Sequence, residues 1–207
     1  MMATTHALAG VVLAVLVGTL FPGSAAGTSL LPVAAAALGG LFPDFDLYAG
    51  HRKTLHFPVY FSTAAVVAAV IAIATPSTLT VAAALFLAAA ALHSVMDALG
   101  GGLELKPWLG TSERAVYSHY HRRWIAPRRW VRYDGAPEDL AVAVAFALPA
   151  TYALDGLAET GVLVAVAVSA VYVLLRKPMV VIAETLVAAL PATFVDRLPA
   201  RFVEDVR

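Results

Sequence analysis

Apolar residues run along this chain in long blocks separated by short turns, and charged side chains gather in every second turn. The blocks fall at about Ala7–Phe21, Leu30–Phe42, Phe57–Ala74, Leu79–Leu99, Leu140–Leu154 and Gly161–Leu175. A seventh, Met179–Val195, is interrupted by Glu184 and Pro191. Several are shorter than the roughly 20 residues that cross a hydrocarbon core; either neutral flanking residues extend them or they are partly buried helices that do not fully cross. Pro22-Gly23-Ser24, Pro76-Ser77-Thr78 and Asp155–Thr160 are turns that divide the six main blocks into helical hairpins. The pattern predicts an all-α, polytopic transmembrane helical bundle of about six spans, followed by an amphipathic helix on the membrane surface. It predicts a single membrane-embedded domain: residues 1–107, a basic loop at 108–139, and C-terminal helices over 140–207.

Composition agrees. Of 207 residues, 60% are hydrophobic and 14% charged, with a mean hydropathy of +0.80. Soluble domains are about 45–50% apolar and about 25% charged. This much apolar surface cannot be hidden within a domain of this size, whereas lipid solvates the outer faces of helices whose backbone groups are already paired. There is no cysteine, which excludes disulfides and thiolate metal ligands.

Net charge is zero, but its distribution is uneven. No Lys or Arg precedes Arg52, and Lys106, Arg114, Arg122, Arg123, Arg128, Arg129 and Arg132 fall in the one segment between the fourth and fifth blocks. Arg52-Lys53 and Arg176-Lys177 lie on the same side, and the opposite turns carry no basic residue. The positive-inside rule then predicts an inner-membrane protein with its N-terminus and basic loop in the cytoplasm. The Arg- and Trp-rich stretch 122–132 suits contact with anionic lipids more than nucleic-acid recognition.

The same side collects the candidate chemistry. His6 begins the first block, Asp44 and Asp46 close the second, His51 and His56 lead into the third, and His93 and Asp97 end the fourth. The i, i+4 spacing of His93 and Asp97 puts both on one helix face, within an apolar run where an unpaired carboxylate is costly. Each feature alone has a plain structural reading. His6 would be a polar cap, the Pro43-Asp44 turn a helix terminator, His93–Asp97 a buried hydrogen bond, and Arg52-Lys53 an orientation anchor. Independent caps and anchors, however, have no reason to be His and Asp at four neighbouring helix ends. A divalent cation would satisfy them together; imidazole with carboxylate suits zinc, manganese or iron.

At these residues the chain resembles the YdjM-type family of membrane-bound metal-dependent hydrolases, also described as LexA-binding inner-membrane proteins. The resemblance is carried by Thr5-His6 with Gly10, by Leu41-Phe42-Pro43-Asp44-Phe45-Asp46, by His51-Arg52 with His56, and by His93-x-x-x-Asp97. Gly100–Gly102 follows, then Leu105 and Pro107. His56 is flanked by Leu55 and Phe57, where the family often has Thr and Ser. The order of His6, Asp44, His56 and His93/Asp97 is also similar, more distantly, to zinc-dependent phospholipase C and the zinc-dependent single-strand nucleases. Their later ligands have no clean counterpart here, though His119 or His121 could stand in for one.

The resemblance implies phosphoester hydrolysis. In that reading His6, Asp44, His56, His93 and Asp97 hold one or two metal ions. Asp46 or His51 orients a ligand or acts as general base toward the attacking water. Arg52 clamps a phosphoryl oxygen, and the substrate is a small-molecule or lipid phosphoester. A non-catalytic membrane scaffold or regulator of the LexA-binding kind is the alternative. A transporter ranks last, because the ionisable groups sit at one face and the outer turns offer only Asp155 and Glu159.

Overall fold

The computed structural model describes residues 1–24, 26 and 29–191. They form an all-α bundle. Its helices are α1 (Ala3–Leu20), α2 (Leu30–Leu41), α3 (Leu47–Gly50), α4 (Pro58–Ala74), α5 (Thr78–Leu99), α6 (Pro137–Ala153) and α7 (Gly156–Ala189). A 3-10 turn, Phe42–Asp46, joins α2 to α3. Among the described residues, four stretches are long and apolar enough to cross a membrane: α1, Leu30–Gly50, α5 and α7. The C-terminal stretch read as an amphipathic helix lies mostly outside the described residues.

The turns work as their residues predict. Ser77 caps α5 by accepting from the Thr80 backbone amide, and the Thr80 hydroxyl accepts from the Ser77 amide, so two otherwise orphaned donors are satisfied. Proline opens α4 and α6 in the first turn, where a missing amide hydrogen costs nothing.

One expectation is corrected. The sixth block and the start of the seventh are a single helix, α7, which runs through Arg176, Lys177 and Pro178 to Ala189. Pro178 removes one backbone bond, but contacts on both sides hold the helix together. Arg176 pairs with Asp134 at 3.0 Å, Lys177 lies over the Trp108 and Tyr133 rings, and Glu184 pairs with Lys106. Pro191 then lies just past the helix end, as a proline that cannot continue a helix should.

α1 is the central helix, packed against α2, α5, α6 and α7. Its buried residues include Leu8, Val11 and Ala14, which meet Val33, Leu85, Ala143 and Ala147 from neighbouring helices. The core is built from small side chains, as helices in lipid need for close approach. Glycines take this furthest. A side chain on Gly10 would strike the Ala36 backbone, one on Gly39 the Phe86 backbone, and one on Gly40 the carbonyl of His6. Outward faces stay apolar: Val66, Ile73, Leu148, Leu163 and Leu174 are all exposed.

Residues 100–136 form a folded cap across one end of the bundle. It contains a short hairpin, Val116–Ser118 with Arg123–Ile125. Its backbone is tied to the end of α5 by bonds from the Arg128, Arg129 and Trp130 amides to the carbonyls of Ala98, Gly100 and Leu99.

Gly40→Ala tests the glycine contact. A methyl group there must push α1 away from α2, at a cost of about 1–3 kcal/mol. The thermal midpoint of the detergent-solubilised variant should fall by several degrees; a midpoint equal to the parent's would mean the helices do not touch there.

Candidate metal centre

The capped end of the bundle carries all eight candidate residues, and local geometry explains how each arrives. Pro43 tightens the end of α2 into a 3-10 turn. With three residues per turn, side chains two apart point in different directions, so Asp44 and Asp46 serve different partners. Asp44 reaches towards His93, Oδ1 to Nε2 3.5 Å. Asp46 turns to the following loop, where both of its oxygens are fully used. Oδ1 accepts from His51 Nδ1 (3.0 Å) and the Arg52 amide (3.2 Å), and Oδ2 from His56 Nδ1 (3.0 Å) and the Leu55 amide (3.0 Å). Four donors saturate this carboxylate. Of the two roles the sequence allows Asp46, the geometry therefore favours orienting a ligand over acting as a base.

At the other side of the site, the last turns of α5 present His93 and Asp97 together, both 1% exposed. His93 Nδ1 donates to the Gly40 carbonyl at 2.6 Å. The proton on each imidazole's Nδ1 is thus committed, in His56 to a carboxylate and in His93 to a carbonyl, neither of which can donate back. The neutral tautomers leave both Nε2 atoms as lone pairs. Those two lone pairs are 3.0 Å apart, and each lies close to Asp97 Oδ2, at 3.2 and 3.3 Å. In these tautomers three acceptors face one another, a contact that a metal ion, or a proton on one imidazole, would relieve. Asp44, His56, His93 and Asp97 each bring one such atom, all within 4.8 Å of one another, and this group can hold a metal ion.

His6 stands beside the group. Its ring stacks on His93, centroids 3.8 Å apart, and its Nε2 is 3.1 Å from Asp97 Oδ1. The Met1 amino group is 2.9 Å from the same oxygen. Asp97 therefore faces His6 with one oxygen and the four-residue group with the other. Arg52 is 5% exposed and donates to the Gly101 carbonyl at 2.7 Å, while its Nε has no hydrogen-bond partner and lies 3.4 Å from Asp97 Oδ2. Its backbone has φ +59°, in the left-handed region that non-glycine residues rarely adopt. Strain of this kind persists where surroundings over-determine it, typically at functional sites.

His119 and His121 stay outside the group. His119 donates to the Lys53 carbonyl at 2.6 Å and packs on Phe57, and His121 bonds Ser118. They shape the cap. Glu184 is accounted for by Lys106.

The sequence gives little sign of Asp139, which the structure places behind His6. It is fully buried and accepts from the Thr5 hydroxyl (2.7 Å) and from the Met2 and Gly135 amides (2.7 and 3.1 Å). This clamp fixes the first turn of α1, and His6 with it, to the start of α6. The signal available was an acidic residue opening an apolar block, which reads equally well as the ordinary first-turn preference of helices.

No family model, curated protein or solved structure matches this chain.

Asp46→Asn provides a test of the outer support. The amide can no longer accept from both His51 and His56, so affinity of the group for a divalent ion should fall by about 10–100-fold in competition with a chromogenic chelator, with helical content kept. An unchanged affinity would remove Asp46 from any role in holding His56.

Proposed function

We propose that this protein is a membrane-bound metal-dependent hydrolase acting on a phosphoester, either a small molecule or a lipid-linked substrate, at the cytoplasmic face of the inner membrane. One observation carries the reading: the Nε2 lone pairs of His56 and His93 converge with Asp97 Oδ2 while both Nδ1 hydrogens are spent elsewhere. The YdjM-type resemblance supports it, since the motif residues are those that meet at this point. Zinc is the ion that best suits two imidazoles and two carboxylates, with manganese and iron as the other candidates.

Asp44, His56, His93 and Asp97 would hold the ion, with His6 beside them on the second oxygen of Asp97. When bound, it supplies Lewis acidity and lowers the pKa of water towards about 7. The remaining roles belong to side chains. Arg52, which lines the cavity, binds a phosphoryl oxygen and stabilises charge that develops there. His51, held through Nδ1 by Asp46 and partly exposed beside the cavity, is the group placed to take a proton. Asp46 orients His56 and His51. Asp139 positions His6.

The basic residues of the cap, with Lys53, Arg176 and Lys177, support reading this end as the cytoplasmic one and as a contact for anionic lipids. The far turns offer only Asp155 and Glu159 among the described residues, which argues against an ion path across the bundle.

Metal analysis of detergent-purified protein is the test, followed by a phosphodiesterase and lipid-phosphatase panel. The parent should hold about one equivalent of zinc or more, and His93→Ala and Asp97→Ala should lose it. Arg52→Gln should keep the metal yet lower kcat/KM by about 10²-fold. Metal content unchanged in both His93→Ala and Asp97→Ala defeats the hydrolase reading. Loss of cellular function on changing Arg128 and Arg129, with none on changing the metal ligands, would favour a scaffold.

A further inference from the structure

A cavity of about 580 Å³ lies against the site and reaches down the side of the bundle. Asp44, His51 and Arg52 line its inner end. On α7 it is lined by Val168, Tyr172 and Arg176. These residues are four apart, so they form one stripe of the helix, about 12 Å long at 1.5 Å per residue.

The stripe changes character along its length. Arg176 and Tyr172 are polar and bonded to Asp134, whereas Val168 lies deeper in a helix that is apolar and long enough to span a bilayer. A leaflet's hydrocarbon half is roughly 15 Å deep, so a groove of this length starts at headgroup level and runs well into the chains.

The rim is apolar as well. Leu47 of α3 and Val168 of α7 both line the cavity and are also 56% and 51% exposed on the outer surface. Phe45 and Tyr48 extend the apolar surface beside Leu47, and Val171 does so beside Val168. None of the four residues of α3 is buried. A water-soluble substrate gives no reason for apolar side chains at the lip of a cavity whose floor is Asp44 and Arg52; a lipid does.

We infer that the cavity opens sideways into the bilayer between Leu47 and Val168, and that its occupant is a phospholipid or polyprenyl-type phosphoester. Its phosphate sits at Arg52, and its hydrocarbon chain lies along Val168 and out into the membrane. The inference rests on the hydrolase reading for the nature of the headgroup. It narrows that reading from phosphoesters in general to amphiphilic ones that never leave the membrane.

Photolabelling tests this without requiring turnover. The full chain, in liposomes, is exposed to a phosphatidic acid with a diazirine on its acyl chain, and adducts are mapped by peptide. They should concentrate on residues 47–52 and 168–176, and excess unlabelled phosphatidic acid should displace them while glycerol phosphate does not. Arg52→Gln should reduce them roughly tenfold, the loss of one charge-assisted phosphate contact. Because Arg52 is buried, Val168→Trp serves as a surface variant. It fills the lip and should remove the adducts at 47–52 while leaving helical content unchanged.

Adducts spread evenly over the exposed faces of α4 and α7, or unaltered by both variants, overturn the proposal. Specific capture with no hydrolysis of any substrate would instead count against the hydrolase reading and leave the lipid site standing. Hydrolysis of a soluble phosphodiester without specific capture would do the reverse.

Discussion

Two imidazoles whose Nδ1 hydrogens are already given away are the constraint on which this structure turns. His56 gives its hydrogen to Asp46 and His93 gives its own to the Gly40 carbonyl. What remains at each is a lone pair, and the fold holds those lone pairs 3.0 Å apart with a carboxylate oxygen next to both. Without positive charge the arrangement is repulsive, and His56, His93 and Asp97 are buried, which makes leaving them unpaired costly. Much of the surrounding architecture serves to keep it in place. Gly40 lets α1 and α2 approach closely enough for its carbonyl to meet His93 and its Cα to meet the His6 backbone. Asp46 folds the loop between α3 and α4 around itself, and Asp139 pins the start of α1.

The apolar helices fit a membrane, and such a setting accounts for where so costly a cluster sits. In the middle of a span, an unpaired carboxylate or imidazole is poorly tolerated, while at the end of several helices it can be covered by a cap rich in backbone partners. Residues 100–136 supply that cover. The carbonyl of Gly101 receives Arg52, and the hairpin lies over the loop that carries His56 through the bond from the Tyr117 amide to the Arg52 carbonyl. Small core residues and close-packed glycines do for this bundle what a large hydrophobic core does for a soluble domain.

His6, Asp44, His56, His93 and Asp97 were legible in the sequence because hydropathy places them all at one level, and the i, i+4 pair at the end of α5 fixes their orientation. The all-α bundle was legible for the same reason, since apolar blocks of that length have few other uses. Less could be read where a residue's meaning depends on a distant partner. Nothing local shows that Asp46 would be saturated by four donors, that Asp139 would reach back to Thr5, or that His119 would bond Lys53 and stay apart from the His/Asp group. The hydropathy pattern separated the sixth and seventh blocks at 176–178, yet α7 continues, because Asp134, Trp108 and Lys106 come from 40 or more residues away to brace it. The cavity was invisible, since it is a property of how α1, α3, α7 and the cap are arranged.

The convergence of lone pairs can be examined directly by X-ray absorption on the zinc-loaded protein in detergent. Two imidazole nitrogens and carboxylate oxygens at about 2.0–2.2 Å, with the outer-shell scattering that imidazole rings produce, are what this geometry requires. A spectrum with no imidazole contribution, or zinc that washes away with only water in its shell, would contradict the account.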